Sequence, residues 1–157
     1  MLPRTRSEDS FSARLQRHWP LLRWLPWASA ALLSITVSFL APDGRKPFDI
    51  DWRITQAAWE FSIFKGPHIG VSAMLALLAV IGTGRHRLGL AFAITVLVGA
   101  GWELGQTTVI GHQARLTDLA PDAIGAFFGC LWGAGILWLL EAERRANGPA
   151  FRQTIAG

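Results

Sequence analysis

The sequence predicts an all-α protein, an integral membrane bundle of four transmembrane helices with an extra interfacial helix in the first outer loop. Hydrophobic residues make up 51% of the 157 positions. They fall in four long runs with the charges pushed between them, the pattern of membrane spans rather than of a soluble core. Eight tryptophans accompany no tyrosine, which suits a chain that needs amphipathic rings at bilayer surfaces. The length leaves room for one domain, divided into a basic tail over 1–23, a transmembrane domain over 24–145 and a C-terminal tail over 146–157.

The tail holds Arg4, Arg6, Arg14, Arg17 and Arg23, and from Phe11 its apolar residues Leu15, Trp19 and Leu22 recur at helical spacing. It reads either as a tail ending in a short helix on an anionic membrane face or, equally, as an ordinary solvated topogenic tail. Trp24 to Ala41 is the first span, with Pro26 near its start, where a missing backbone donor is tolerated. Three further apolar runs follow, so this run is expected to be an uncleaved span rather than a signal peptide.

The longest connection, 43–67, carries Trp52, Ile54, Trp59, Phe61, Ile63 and Phe64 among charges, and its second half is where the interfacial helix is expected. Gly66 and Pro67 punctuate it. His68 to Thr83 is the second span, short against the roughly 20 residues a crossing requires. After a basic turn of Arg85, His86 and Arg87 come the third span, Leu88 to Ile110, and the fourth, Asp122 to Leu140.

With both termini inside, the cytoplasmic segments hold 10 of the 15 Lys and Arg residues. The positive-inside rule therefore favours cytoplasmic termini. The net charge of +4 is spread around the spans with no folded soluble domain to display it, so nucleic acid is not expected as a partner. The single cysteine, Cys130, cannot form a disulfide within the chain.

Polar chemistry concentrates between Glu103 and Gly129. Glu103 lies about 22 Å along its helix from Leu88 at 1.5 Å per residue, inside the hydrocarbon layer, where ionisable groups are functional candidates by default. Gln106 follows on the same face. Asp118 and Asp122 flank Pro121 at the start of the fourth span, where Asp118 is placed to cap the helix and Asp122 to gain from its dipole. Asp122 also shares a face with the small-residue ridge Gly125, Gly129 and Gly133, which lets another helix approach closely; Gly101 and Gly105 on the third span offer a matching surface. Lys65 and His68 open the second span on the same side of the membrane, and His112 and Arg115 lie in the short loop between spans three and four. No pair of these residues has the close spacing of a metal motif, and no metal or cofactor is expected.

The order Glu103, Gln106, Gly111-His112, Asp118, Asp122, Gly125, Gly129, preceded by Lys65 and His68, resembles the VanZ-like membrane proteins over about residues 64–140. Three positions depart from that pattern: Phe64 where the family has Asp, His112 where it has Arg, and Asp122 where it has Asn. Arg115 is the nearest substitute for the missing guanidinium. The resemblance implies a small multi-pass protein of the bacterial cytoplasmic (inner) membrane, and the family's founding member is linked to low-level resistance to the glycopeptide teicoplanin.

The residues support three expectations of function. The first is a binding or accessory protein whose outward polar pocket engages a lipid headgroup, a lipid-linked cell-envelope component or a glycopeptide antibiotic, with membrane lipids as partners. The second is a hydrolase or transferase using Glu103 or Asp122 as general base, and the third a subunit or assembly factor contacting another membrane protein.

Overall fold

In the computed structural model the backbone is described from Trp19 to Ile155 and side chains through Ala146. The expected surface helix from Phe11 and most of the two tails lie outside the described side chains. Among the described residues four helices are long and apolar enough to cross a membrane, over Trp19–Ser38, Gly66–Thr83, Arg85–Gln106 and Leu116–Ala146. This is the architecture of a multi-pass membrane protein.

The regular elements are α1 (Leu25–Ser38), β1 (Ile50–Asp51), α2 (Gln56–Ile63), α3 (Gly66–Thr83), α4 (Leu88–Gln106), β2 (Ala114–Arg115) and α5 (Leu119–Ile155). The membrane-length stretches of the helices carry few charges, and many of their large residues point outward. Leu32, Leu97, Phe128 and Trp132 are all more than half exposed, whereas the main buried cluster is Ala76, Ala79, Val80, Ala91, Ala126 and Cys130, with Leu75 and Val98 buried beside it in a second cluster with Ala31. Small residues inside and large ones outside fit a bundle held by close backbone approach in a lipid solvent.

Gly66 and Pro67 form the first turn of α3, so the second span begins two residues before His68. Proline is favoured there because the first helical N–H groups have no intrahelical acceptor. The third span stops at Gln106 rather than Ile110, and α5 starts at Leu119 and continues through the expected tail boundary to Ile155. The helix expected in the first long loop is α2, whose start is capped by the Thr55 hydroxyl accepting from the Ala58 amide at 3.2 Å.

Two features depart from the sequence reading. The glycine ridge does not meet the third span. A Cβ added at Gly125 would collide with the Ile69 carbonyl, and one at Gly129 with the Ala73 carbonyl, while one at Gly133 would lie 3.0 Å from Val80 Cβ. The ridge therefore packs along α3, parallel to α5, in the most extensive helix contact of the chain. Gly101 and Gly105 face α1 instead, at Ile35 and Ser38.

The second departure is the pairing of the two long loops. β1 and β2 form a short parallel ladder with Ile50 opposite Ala114 and Asp51 opposite Arg115. Further backbone bonds run from Lys46 N–H to the Thr108 carbonyl (2.8 Å) and from Ile110 N–H to the Gly44 carbonyl (3.2 Å). This satisfies backbone groups that a loop at a membrane surface would otherwise leave to water. At the opposite end of the bundle Arg85 Nε donates to both Glu141 oxygens, at 3.1 and 3.0 Å, and so fastens the α3–α4 turn to α5.

Candidate functional site

The C-termini of α1 and α4 and the N-termini of α3 and α5 meet at one end of the bundle, under α2 and the paired loops. Lys65, His68, Glu103, Gln106, His112, Arg115, Asp118 and Asp122 all lie there. They divide into a buried ion pair, a buried carboxylate–imidazole cluster and an open basin.

Asp118 is fully buried and does not serve as a simple helix cap. One carboxylate oxygen accepts from Ser62 Oγ at 2.6 Å and the other from Lys65 Nζ at 2.6 Å. Ser62 also lies 2.8 Å from Thr117 Oγ1. Because Ser62 gives its one proton to the carboxylate, Thr117 is the donor in that bond. The pair thus ties α2 and the start of α3 to the start of α5. Burying one charge is tolerated because the opposite charge and a hydroxyl together satisfy it.

The second cluster lies one helical turn deeper. Asp122 Oδ1 accepts from Ser72 Oγ at 2.8 Å and stands 3.3 Å from His68 Nδ1. The same imidazole nitrogen is 4.0 Å from Glu103 Oε1, and Glu103 Oε2 accepts from the Arg115 backbone N–H at 3.3 Å. Gly99 makes room for this arrangement, since a Cβ there would fall 2.5 Å from Asp122 Oδ2. Glu103 Oε1 and Asp122 Oδ2 are buried without a hydrogen-bond donor, and each such oxygen costs roughly 1–3 kcal/mol unless a proton or a bound group meets it. Beside them is a cavity of about 90 Å³ lined by His68, Ser72, Asp122 and Trp102 together with apolar side chains of α3 and α4.

Above both clusters, Lys46, Phe61, Lys65, Gln106, His112 and Arg115 line an open basin of about 440 Å³, completed by Gly111 and Gln113. Lys46 Nζ donates to the His112 carbonyl at 2.7 Å and lies 3.9 Å from Asp49. The guanidinium of Arg115 sits over the Phe61 ring, 4.9 Å from its centroid, and donates through Nη2 to Gln113 Oε1 at 2.7 Å. Among the described residues Arg115 has no carboxylate within ion-pair distance, and its Nε is buried without an acceptor. The neighbouring Arg53 donates to Asp51 and holds that exposed carboxyl below its ordinary range.

No protein family, curated protein or solved structure compared with the chain matches it. Among the described residues, no group of three or more His, Cys, Asp or Glu side chains is arranged to hold a metal ion.

Of the charged members of the site, sequence reasoning pointed to all but Lys46, and it gave no place to Ser62, Ser72, Thr117, Trp102 and Gly99. Ser72 was accessible to it, because it follows His68 by four residues and shares its helix face. Lys46 carried no such signal, since only the loop pairing brings it to His112. His112 itself lines the basin through an exposed side chain.

Proposed function

We propose that this protein is a VanZ-like binding or accessory protein of the bacterial inner membrane. Both termini are cytoplasmic, and the outward basin engages a lipid headgroup or lipid-linked envelope component. The observation that carries the reading is the convergence of Lys46, Lys65, Gln106, His112 and Arg115 on one open basin at the end of four membrane-length helices. Such a basin offers cationic and amide donors where headgroups lie, and the apolar bundle surface accommodates chains below it. α2 is the interfacial helix in this reading, with Trp52, Trp59, Phe61 and Phe64 exposed around it at the depth where aromatic rings anchor.

Gentle extraction into polymer-bounded native discs, followed by mass spectrometry of the bound lipids, tests the proposal. Wild-type protein is expected to retain one amphiphile well above its share of the bulk membrane. Gln113→Trp, which occludes the basin at an exposed position, is expected to lower that enrichment by about tenfold, corresponding to about 1.4 kcal/mol. Equal lipid profiles from the two proteins would overturn the reading.

The orientation has its own test. In a Cys130→Ala background, a cysteine at exposed Gln56 is expected to react with an impermeant thiol reagent added outside intact cells, and one at exposed His86 only after lysis. Labelling of both from the same side would refute the topology.

A second reading, a hydrolase or transferase acting on a lipid-linked substrate, is supported by the His68–Asp122 contact beside the inner cavity. An imidazole held by a carboxylate can serve as general base. Turnover of the retained amphiphile by wild-type protein but not by His68→Gln would favour it over binding alone.

A further inference from the structure

The basin is joined to an apolar groove. Together with Arg115, the side chains of Trp52, Ala100, Leu104, Leu116 and Leu119 line a second depression of about 200 Å³, completed by Ile50, Glu103 and Ala114. Leu104 and Trp52 are more than half exposed, so the groove opens on the flank of the bundle. Arg115 lines the basin and the groove alike. A charged anchor at the junction of a hydrated pocket and a hydrocarbon-facing groove has the polarity profile of a lipid lying with its head in one and a chain in the other.

The chemistry of the donors narrows the headgroup. The carboxylates near the basin are directed away from Arg115's guanidinium: Asp118 holds Lys65, Asp49 lies beside Lys46, and Glu103 meets only the Arg115 backbone N–H, through one oxygen, while its other oxygen lies 4.0 Å from His68 without a donor. Among the described residues Arg115 has a neutral side-chain partner, Gln113, and no carboxylate within ion-pair distance. A planar guanidinium that no carboxylate neutralises is suited to bidentate binding of an oxyanion. The amides of Gln106 and Gln113 and the ammonium of Lys46 line the same basin, so it can contact more oxygens than a carboxylate presents.

Resting on the binding reading above, we infer that the ligand is a phosphorylated amphiphile, with its phosphate on Arg115 and its chain in the groove lined by Trp52, Ala100 and Leu104. Two substitutions separate its halves. Arg115→Gln removes the oxyanion fork, while Arg115→Lys keeps the charge and loses the planar geometry. Ala100→Phe fills the groove and leaves the basin untouched.

The test uses the full chain in phosphatidylcholine nanodiscs doped with phosphatidic acid carrying brominated chains, with quenching of Trp52 as the readout and Trp52→Phe as the control. Phosphatidic acid is expected to quench at about one tenth the mole fraction that brominated phosphatidylcholine requires, a difference of about 1.4 kcal/mol. Arg115→Gln and Ala100→Phe are each expected to remove that preference, and Arg115→Lys to retain part of it. Size-exclusion profiles and melting curves establish that each variant is folded; should Arg115→Gln fail to fold, the wild-type comparison of the two lipids still decides.

Equal quenching by the two lipids in wild-type protein overturns the inference. An unchanged preference in folded Ala100→Phe, with displacement by millimolar inorganic phosphate, assigns the basin to a soluble phosphate compound and overturns the lipid half. Quenching by brominated oleate equal to that by phosphatidic acid overturns the phosphate half and leaves the broader binding reading standing. If native discs also show no enriched amphiphile, the broader reading falls with it.

Discussion

Replacing Gly129 with leucine is expected to destabilise the bundle by at least about 3 kcal/mol, at or beyond the upper end for overpacked cores. The cause is geometric. A Cβ there would collide with the Ala73 carbonyl oxygen, and a backbone carbonyl within a helix cannot rotate aside as a side chain can. α3 and α5 would have to separate, weakening the contact that also places His68 and Ser72 against Asp122. Gly135 lies on the same helix, has no atom within 4 Å of its added Cβ and faces outward. Leucine at Gly135 is expected to be neutral or mildly stabilising, because glycine costs up to about 1 kcal/mol within a helix. Thermal unfolding of the two purified variants in one detergent, alongside wild type, checks the contrast. Comparable stability of Gly129→Leu and Gly135→Leu would show that α5 does not pack on α3 through this ridge.

Asp118→Asn is expected to cost about 2–3 kcal/mol, below the range for breaking a fully enclosed pair, because water still reaches part of Lys65. The Lys65 side chain retains 24% exposure whereas that of Asp118 retains none. The stranded group is therefore the lysine, which would lose its 2.6 Å partner while remaining largely enclosed. The companion variant Lys65→Met strands a fully buried carboxylate and is expected to cost more. Combining Lys65→Met with Asp118→Asn removes both charges and is expected to recover most of the loss, as a double-mutant cycle on unfolding free energies would show. Additive losses in that cycle would mean that the two groups do not interact. This pair fastens α2 and the α3 start to α5, so the single variants are also expected to loosen the basin above it.

The two experiments probe different kinds of legibility in the sequence. The small residues at Gly125, Gly129 and Gly133 marked a close-packed face, because a spacing of four returns to the same side of a helix. Their partner was not legible. Several helices of similar apolarity present small residues, and Gly101 and Gly105 appeared equally suitable until the fold set them against α1. Likewise Asp118 read as a cap from its position before a helix, yet its two oxygens are taken by Ser62 and Lys65, more than 50 positions away.

The sequence by itself determined the four membrane-length runs, the loop helix and the end of the bundle at which Glu103, His68, Asp118 and Asp122 gather. Hydrophobic length and helical periodicity are local properties, and they fix depth and face without reference to any other segment. Only the tertiary structure decided how those residues divide. It paired Lys65 with Asp118, set His68 between Asp122 and Glu103, and left Arg115 between an open basin and an apolar groove. The parallel pairing of Ile50–Asp51 with Ala114–Arg115 made the last of these possible. It is formed by backbone hydrogen bonds, which every residue but proline can donate, so no side-chain pattern announced it.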